Sequence, residues 1–252
     1  MISIVIPTYN EEGFLPLLLS SLERQTFRDF EVIVADAQST DRTREIAVAA
    51  GCSVVDGGMP ASGRNRGAVV AKGDVLLFLD ADVVVPDERF LADVLTQFDA
   101  QRLDVATCLV EPMSDKFIDR VSHDFYNGYI TAMEHILPHA HGPCMMARRP
   151  AHDAIKGFDE QVRLAEDHDY AQRAVRIGFR AGIIRDPRIM VSMRRFRRDG
   201  YLSIAARYAL CEMHMMTLGS VKTDIFRYRF GHTKEVVAVP TAHESFSSHH
   251  HV

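Results

Sequence analysis

Two aspartates separated by a single residue, Asp80 and Asp82, directly follow an apolar run of five residues. Carboxylates suit hard cations such as Mg²⁺ and Mn²⁺, and a cation held in this way can bind a diphosphate. A purely structural role is the alternative, because aspartates often begin turns and a helix could start near Pro86 and Asp87. The pair by itself therefore indicates either a metal site or a turn.

The chain around this pair alternates short apolar runs with longer amphipathic ones over its first hundred residues, which is typical of parallel strands joined by helices. We predict strands over 2–6, 30–35, 52–55 and 74–79, and helices over 15–22, 41–50 and 61–71. The first strand should stop at Pro7, since proline cannot donate to a strand ladder. Ligands bind beyond the carboxyl ends of strands in such sheets, so Asp80 and Asp82 arrive where a substrate would bind.

The second half of the chain is predicted to continue the mixed pattern. Strands are expected over 104–110, 141–148 and 180–185, and helices over 116–137, 166–177 and 200–218. A polar tail follows Pro240. We therefore expect a catalytic domain over 1–195, a C-terminal helical appendage over 196–240 and a loose tail over 241–252.

Five short motifs occur in a characteristic order. They are IVIPTYNEE at 4–12, VIVADAQSTD at 32–41, GRNRGA at 63–68, the Asp80-Ala81-Asp82 triplet, and GFDE at 157–160 followed by EDHD at 166–169. In this order they resemble the inverting family 2 glycosyltransferases of the GT-A fold, over about residues 1–190. The resemblance implies an α/β/α sandwich with a mainly parallel, Rossmann-like sheet. It also implies metal-dependent transfer of a sugar, with inversion, from a UDP-, GDP- or dTDP-sugar to a hydroxyl of a glycan or lipid-linked acceptor.

The resemblance assigns the donor nucleotide to the first two motifs. Asp36 would accept a hydrogen bond from the base, and a charge-assisted bond of this kind is strong. Alternatively, Asp36 only stabilises the loop that leads to Ser39 and Thr40. The other residues expected to border the nucleotide are Pro7, Thr8, Tyr9 and Glu11.

The diphosphate and the metal are assigned to the next two motifs. Arg64 would contact the phosphates, with Gly63 and Gly67 allowing close approach, unless it lies on a solvated helix face and pairs with carboxylates. Mn²⁺ or Mg²⁺ would bind Asp80 and Asp82, with Ala81 beside the nucleotide. His232 is a weaker candidate for a third metal ligand.

Asp167, in the EDHD motif, resembles the catalytic base of the family. A carboxylate can take the proton of an acceptor hydroxyl while that hydroxyl attacks the anomeric carbon in line with the departing diphosphate. A single displacement of this kind inverts the anomeric centre. The structural alternative is that Glu166, Asp167 and Asp169 complement a helix N-terminus, a contribution of about 0.3–1 kcal/mol each.

Several other side chains have two interpretations. Cys144 is expected to be a packed small residue, and His141 and His168 are either extra contacts for metal or acceptor or structural groups. The arginine-rich segment 193–198 could close over the diphosphate, lie against anionic lipid or be a solvated loop. The Met-rich segment 202–218 could bind a lipid-linked acceptor at a membrane surface, pack in the core or form a homodimer face.

Composition narrows the class of protein. The chain has 29 Lys and Arg against 34 Asp and Glu, which gives no basic surface for nucleic acid. Its four cysteines form no C-x-x-C pair, so neither a structural zinc site nor a disulfide framework is expected. With no signal peptide and no apolar run of about 20 residues, we expect a cytoplasmic protein, either in solution or attached peripherally to the inner face of the membrane.

Two alternative functions share parts of this pattern. A sugar-phosphate nucleotidyltransferase should open with a Gly-rich loop after the first strand, and residues 7–12 do not form one. A catalytically silent carbohydrate- or lipid-binding module would not require Asp80, Asp82 and Asp167 together. The sequence leaves open the donor base and sugar, the acceptor and the oligomeric state.

Overall fold

The computed structural model describes residues 1–134 and 138–223. The strands are β1 Ile2–Thr8, β2 Phe30–Asp36, β3 Ser53–Asp56, β4 Val75–Leu79, β5 Val83–Val84, β6 Val105–Pro112, β7 Cys144–Arg148 and β8 Ala181–Val191. The helices are α1 Leu15–Glu23, α2 Thr43–Ala49, α3 Pro60–Val70, α4 Phe90–Ala100, α5 Phe117–Met133, α6 Arg149–Ala154, α7 Glu166–Arg176, α8 Arg194–Asp199 and α9 Tyr201–Leu218.

The strands form one sheet in the order β3-β2-β1-β4-β7-β6-β8-β5. The first half, β3 to β4, is parallel, whereas β7 runs antiparallel to both β4 and β6. Leu79 at the end of β4 therefore pairs with Cys144 at the start of β7. The loop that enters β7 thus lies at the same sheet edge as the carboxyl ends of β1, β2 and β4.

Each face of the sheet is covered by a hydrophobic cluster. On one face, α1 and α4 pack on residues such as Ile4, Leu77 and Leu79. On the other face, α3, α6 and α7 pack on Val5, Leu76 and Phe78. All five residues of β4 are buried, as expected for a strand covered on both sides. The predicted α/β sandwich is confirmed. The turn that contains Asp80 and Asp82 directly follows β4, in the middle of the sheet.

Some predicted boundaries are wrong. Strand β1 continues through Pro7 to Thr8, because its pairing with β4 ends at Val5 and Pro7 pairs only with β2. A proline is tolerated where a strand has one free side. Three short elements were not predicted: β5, α6 and α8. A helix start near Pro86 and Asp87 was considered only as an alternative, and α4 begins at Phe90.

The proposed division at 195/196 falls inside α8 and stays a prediction. His232 and the tail over 241–252 lie outside the described residues. Within the two described ranges, no helix combines the length and the apolar character that crossing a membrane requires.

Candidate active site

The Asp80–Asp82 turn, Arg64, the loop that enters β7 and the start of α7 meet at one site, called here the cleft. Each aspartate of the turn is bonded to an arginine. Asp80, with its side chain 28% exposed, accepts a hydrogen bond of 2.8 Å from Nη2 of Arg64. Asp82, 22% exposed, accepts one of 2.9 Å from Nε of Arg194 and another from the hydroxyl of Ser192. Both carboxylates therefore remain reachable from solvent while they are held in place.

Arg64 is almost completely buried, with 2% of its side chain exposed. Its Nη1 donates to Glu166 at 2.7 Å, so one guanidinium links Asp80 to the start of α7. Among the described residues its Nε has no hydrogen-bond partner. The predicted contact with phosphate stays a prediction. The pairing with carboxylates given as the alternative is present, but Arg64 is buried and does not lie on a solvated helix face.

The glycines on α3 have a packing role that differs from the one expected. A Cβ on Gly67 would lie 2.3 Å from Val5, and one on Gly63 would lie 3.0 Å from Pro7. They let the helix approach β1, and the expected close approach to phosphate stays a prediction. This close packing sets the position of Arg64, one residue after Gly63.

Arg194 connects the loop after β1 to the aspartate turn. It donates to both carboxylate oxygens of Glu11, at 2.6 and 2.7 Å, and its guanidinium lies 4.6 Å from the ring centre of Phe14. Burial raises the pKa of Glu11 to about 7, although Arg194 opposes this shift. The arginine-rich segment is thus a short helix whose first residue is buried among acidic groups, not a solvated loop.

The carboxylate of Asp36 is fully buried at the end of β2. It accepts hydrogen bonds from the hydroxyl of Thr8 at 2.9 Å and from the backbone N–H of Ser39 at 3.0 Å, and Arg44 lies at 3.4 Å. These contacts match the loop-stabilising alternative. The contact of Asp36 with a base stays a prediction, as do the nucleotide contacts of Pro7, Thr8, Tyr9, Glu11 and Ala81.

Asp167 lies at the first turn of α7, opposite the loop that enters β7. Its Oδ1 accepts a hydrogen bond of 2.9 Å from the N–H of His168. A Cβ on Gly142 would lie 3.0 Å from its Oδ2 and 3.5 Å from Nη2 of Arg64, so only glycine leaves this space open. Burial alone would raise the pKa of Asp167, but His168 and Arg64 outweigh it and lower the pKa below its ordinary value. The carboxylate is therefore ionised at neutral pH, as a base must be.

Aromatic and imidazole rings line the side of the cleft beyond Asp167. Tyr126 of α5 stacks on His141 with ring centres 4.5 Å apart and an interplanar angle of 2°. Neither ring nitrogen of the buried His141 has a hydrogen-bond partner among the described residues. Burial, with His168 nearby, lowers the pKa of His141 to about 3, so its ring is neutral. Sequence patterns gave no sign of Tyr126, because α5 meets this loop only in the tertiary structure.

His139, His168 and Glu212 form a group whose candidate ligand atoms lie within 4.8 Å of one another. Nε2 of His139 lies 2.9 Å from the Glu212 carboxylate, and the N–H of Ala140 donates to Nδ1 of His168 at 3.3 Å. Because Nδ1 of His168 accepts this hydrogen bond, the proton of the neutral ring lies on Nε2. A protonated ring nitrogen cannot ligate a metal. The contacts therefore favour a hydrogen-bonded cluster over a metal site.

Comparison with protein families places these residues in context. The sequence model described as Glycosyl transferase family 2 matches residues 3–156, more than half of the chain. The chain belongs to glycosyl transferase family 2. The matched range contains Glu11, Asp36, Arg64 and the Asp80–Asp82 turn, whereas Asp167 lies beyond its end.

Members of family 2 with curated names are similar to parts of this chain. A 4,4'-diaponeurosporenoate glycosyltransferase of Staphylococcus haemolyticus is 37% identical over 110 residues, which is 40% of this chain and 29% of that protein. The poly(ribitol-phosphate) β-N-acetylglucosaminyltransferase TarS of Staphylococcus aureus is 26% identical over 73% of this chain and 34% of its own length. This chain thus spans about a third of the length of these relatives.

A solved structure shows the same fold. The mannosyltransferase PcManGT from Pyrobaculum calidifontis, in complex with GDP-Man and Mn²⁺, aligns with a TM-score of 0.65 at 22% identity, over 83% of this chain and 64% of that one. The fold of this family 2 member is therefore of the GT-A type, as the order of its motifs predicts.

Proposed function

We propose that this chain transfers a sugar from a nucleotide-sugar donor to a hydroxyl acceptor, with inversion and with the help of a divalent metal. The observation that carries the proposal is that Asp80 and Asp167 both lie beside the buried Arg64, with Asp82 in the same turn as Asp80. Membership of glycosyl transferase family 2 supports the reaction class.

The donor side supports the metal requirement. Asp80 and Asp82 offer carboxylate oxygens that are partly exposed, which suits Mn²⁺ or Mg²⁺. A metal held there would supply positive charge to the diphosphate as it departs. His232 remains a proposed third ligand outside the described residues, and the presence of Mn²⁺ with GDP-Man in PcManGT is a parallel in a related fold.

Asp167 supports the role of the base. An ionised carboxylate takes the proton of the acceptor hydroxyl as the oxygen attacks the anomeric carbon and the bond to the diphosphate breaks. With one displacement and no enzyme-bound sugar, the anomeric configuration inverts. The space opposite Gly142 is where an acceptor hydroxyl would reach Asp167.

Arg64 has a supporting electrostatic role in this proposal. Asp80, Glu166 and Asp167 all interact with its positive charge. Without such a cation, neighbouring carboxylates would share protons and raise one another's pKa values. Arg64 thus lowers the pKa of both Asp167 and Asp80, although burial leaves the pKa of Asp80 above its ordinary value.

The experiment follows release of nucleoside diphosphate from a panel of UDP-, GDP- and dTDP-sugars, with Mn²⁺ or with a chelator. We expect one donor to stabilise the protein against heat in a metal-dependent way, and Asp82→Asn to abolish that stabilisation. Asp87→Asn, on the exposed turn nearby, is the matched control and should behave like the parent protein. Equal stabilisation with chelator and with Mn²⁺ would contradict the metal assignment, and retention of the anomeric configuration in the product would contradict inversion.

A further inference from the structure

Helix α9 presents an apolar face to solvent. Its buried residues, Ile204 and Cys211, lie on one side. The opposite side carries large exposed side chains at helical spacing, with Ala206 and Ala209 exposed between them. They are Leu202, which is 88% exposed, Leu210, Met213 and Met216. A surface helix of a globular protein normally exposes charged and polar residues instead.

Helix α5 shows the same exposure of apolar side chains more clearly. Its buried positions are mainly polar, namely Asp119, His123 and Asn127. Its large apolar side chains are exposed, and they fall within an arc of about 100° on a helix of 3.6 residues per turn. They are Phe117, which is 81% exposed, Ile118, Val121 and Phe125, which is 78% exposed. The charged residues Arg120 and Asp124 are exposed at one edge of this arc. Burial of polar groups against exposure of phenylalanines indicates that the outer face meets an apolar medium.

The two helices lie side by side and run in the same direction. Tyr201 donates to Asp119 at their amino ends. The rings of Tyr126 and Tyr208 lie 5.8 Å apart in the middle, and Glu212 is hydrogen-bonded to Tyr129 further along. The contacting residues follow the same order along both helices, so the helices are parallel. Their exposed sides therefore lie next to each other and form one surface, called here the α5–α9 face.

Positive charge borders the α5–α9 face at its amino end. The ring of Phe196 lies 5.3 Å from that of His123, which places α8 beside the first turns of α5. Segments 115–120 and 194–199 together hold six basic and three acidic residues, although the whole chain carries a net charge of −5. The exposed basic side chains are Lys116, Arg120, Arg197 and Arg198.

We propose that the α5–α9 face lies on an anionic lipid surface. Its phenylalanine, leucine and methionine side chains would enter the boundary between headgroups and acyl chains, and the basic border would meet lipid phosphates. The inner sides of the same helices contact the cleft, since Tyr126 stacks on His141 and Glu212 bonds His139. A protein bound in this way holds the Asp167 side of its cleft close to the membrane. The lipid contact does not depend on the proposed transfer reaction.

The test is flotation of the full chain with vesicles of phosphatidylcholine alone and of phosphatidylcholine mixed with phosphatidylglycerol. We expect binding to the mixed vesicles, and weaker binding at high salt. The triple variant F117S/F125S/M213S should lower the partition coefficient at least about tenfold. The matched control V48S/V69S changes two exposed valines on α2 and α3 and should bind like the parent protein.

The charged border is tested in the same assay. Arg197→Gln with Arg198→Gln should weaken binding to mixed vesicles several-fold, whereas Arg42→Gln with Arg89→Gln, at exposed positions elsewhere, should not. Unchanged thermal unfolding of each variant shows that folding is intact.

Three results would overturn the proposal. One is binding that the triple variant leaves unchanged. Another is absence of binding together with a dimer in light scattering that the triple variant dissociates, which would assign the face to a second copy. The last is absence of both binding and dimer, which would assign its cover to residues 224–252.

Discussion

The two sides of the cleft are built by different means. On the proposed donor side, Glu11, Asp36 and Asp80 follow the carboxyl ends of β1, β2 and β4, and each carboxylate interacts with an arginine. On the proposed acceptor side, the rings of Tyr126, His139 and His141 come from α5 and the loop before β7, and they stack or hydrogen-bond.

This difference has a physical consequence. Paired charges at strand ends hold a fixed arrangement that suits an anionic diphosphate, because parallel strands position backbone and side chains with little freedom. Stacked aromatic and imidazole rings offer broad, flat surface, which would suit a varied acceptor. We therefore expect substitutions on the two sides to separate donor binding from turnover.

The largest expected effect comes from Asp167→Asn. The amide cannot take a proton, so turnover at saturating donor should fall by about 10²–10⁴-fold. Donor-induced thermal stabilisation should persist, because the strand-end carboxylates are unchanged. Nucleoside diphosphate release and thermal unfolding measure the two properties separately. Loss of donor binding in this variant would break the distinction between the sides.

Arg64→Met tests the buried cation that joins the sides. It removes the buried guanidinium and leaves the partly buried Asp80 and Glu166 without their partner, so we expect a loss of about 3–5 kcal/mol in the free energy of unfolding. Urea unfolding measures this loss. Arg66→Met, where an exposed arginine donates to the Gly57 carbonyl, is the control and should change stability by less than about 1 kcal/mol. Similar losses in the two variants would show that the ion pairs of buried Arg64 stabilise the fold no more than the exposed contact of Arg66 does.

Gly142→Ala sharpens the contrast at the entrance to β7. The added methyl meets Oδ2 of Asp167 at 3.0 Å, and a flexible carboxylate can turn away. We expect a stability cost of about 1–3 kcal/mol at most, together with a larger fall in turnover from the displaced base. Gly128→Ala, on α5 with nothing within 4 Å, is the control, and it should stabilise the helix by about 0.5–1 kcal/mol. Turnover equal to that of the parent enzyme would argue against the position assigned to the base.

A further expected effect is a pH dependence at His152 of α6, which is assigned to neither side. Burial lowers the pKa of His152 to about 4, against an ordinary value near 6.5 in the unfolded chain, and its Nδ1 lies 2.9 Å from the Tyr170 hydroxyl. The folded state therefore favours the neutral ring, and this contribution is present above the unfolded pKa and is lost as the pH falls from about 6.5 toward 4.

His152→Gln should flatten that slope in the free energy of unfolding between pH 6.5 and pH 5. Nearby Asp153, Arg149 and Arg173 are unchanged and act on parent and variant alike. Chemical unfolding across this pH range measures the slope. A slope equal to that of the parent protein would contradict the burial of a neutral histidine.

Sequence alone was sufficient for the fold class and for the order of the first strands. Alternation of apolar and amphipathic runs identified the parallel half of the sheet, because strand and helix periods are local properties of the chain. An apolar run followed by Asp80 and Asp82 also placed these carboxylates at the carboxyl edge of the sheet, where parallel strands end together, and their donor role stays a prediction. The end of the first strand was predicted wrongly at Pro7, because the proline is tolerated only where the pairing of β1 with β4 has already ended.

What only the tertiary structure decided is how distant segments meet. Arg194 reaches Glu11 and Asp82 across more than a hundred residues of sequence, and Arg64 reaches Glu166 in the same way. No local period encodes such contacts, because they result from packing helices on a sheet. The reversed polarity of α5 likewise became meaningful only once its polar side was found buried and its phenylalanines exposed.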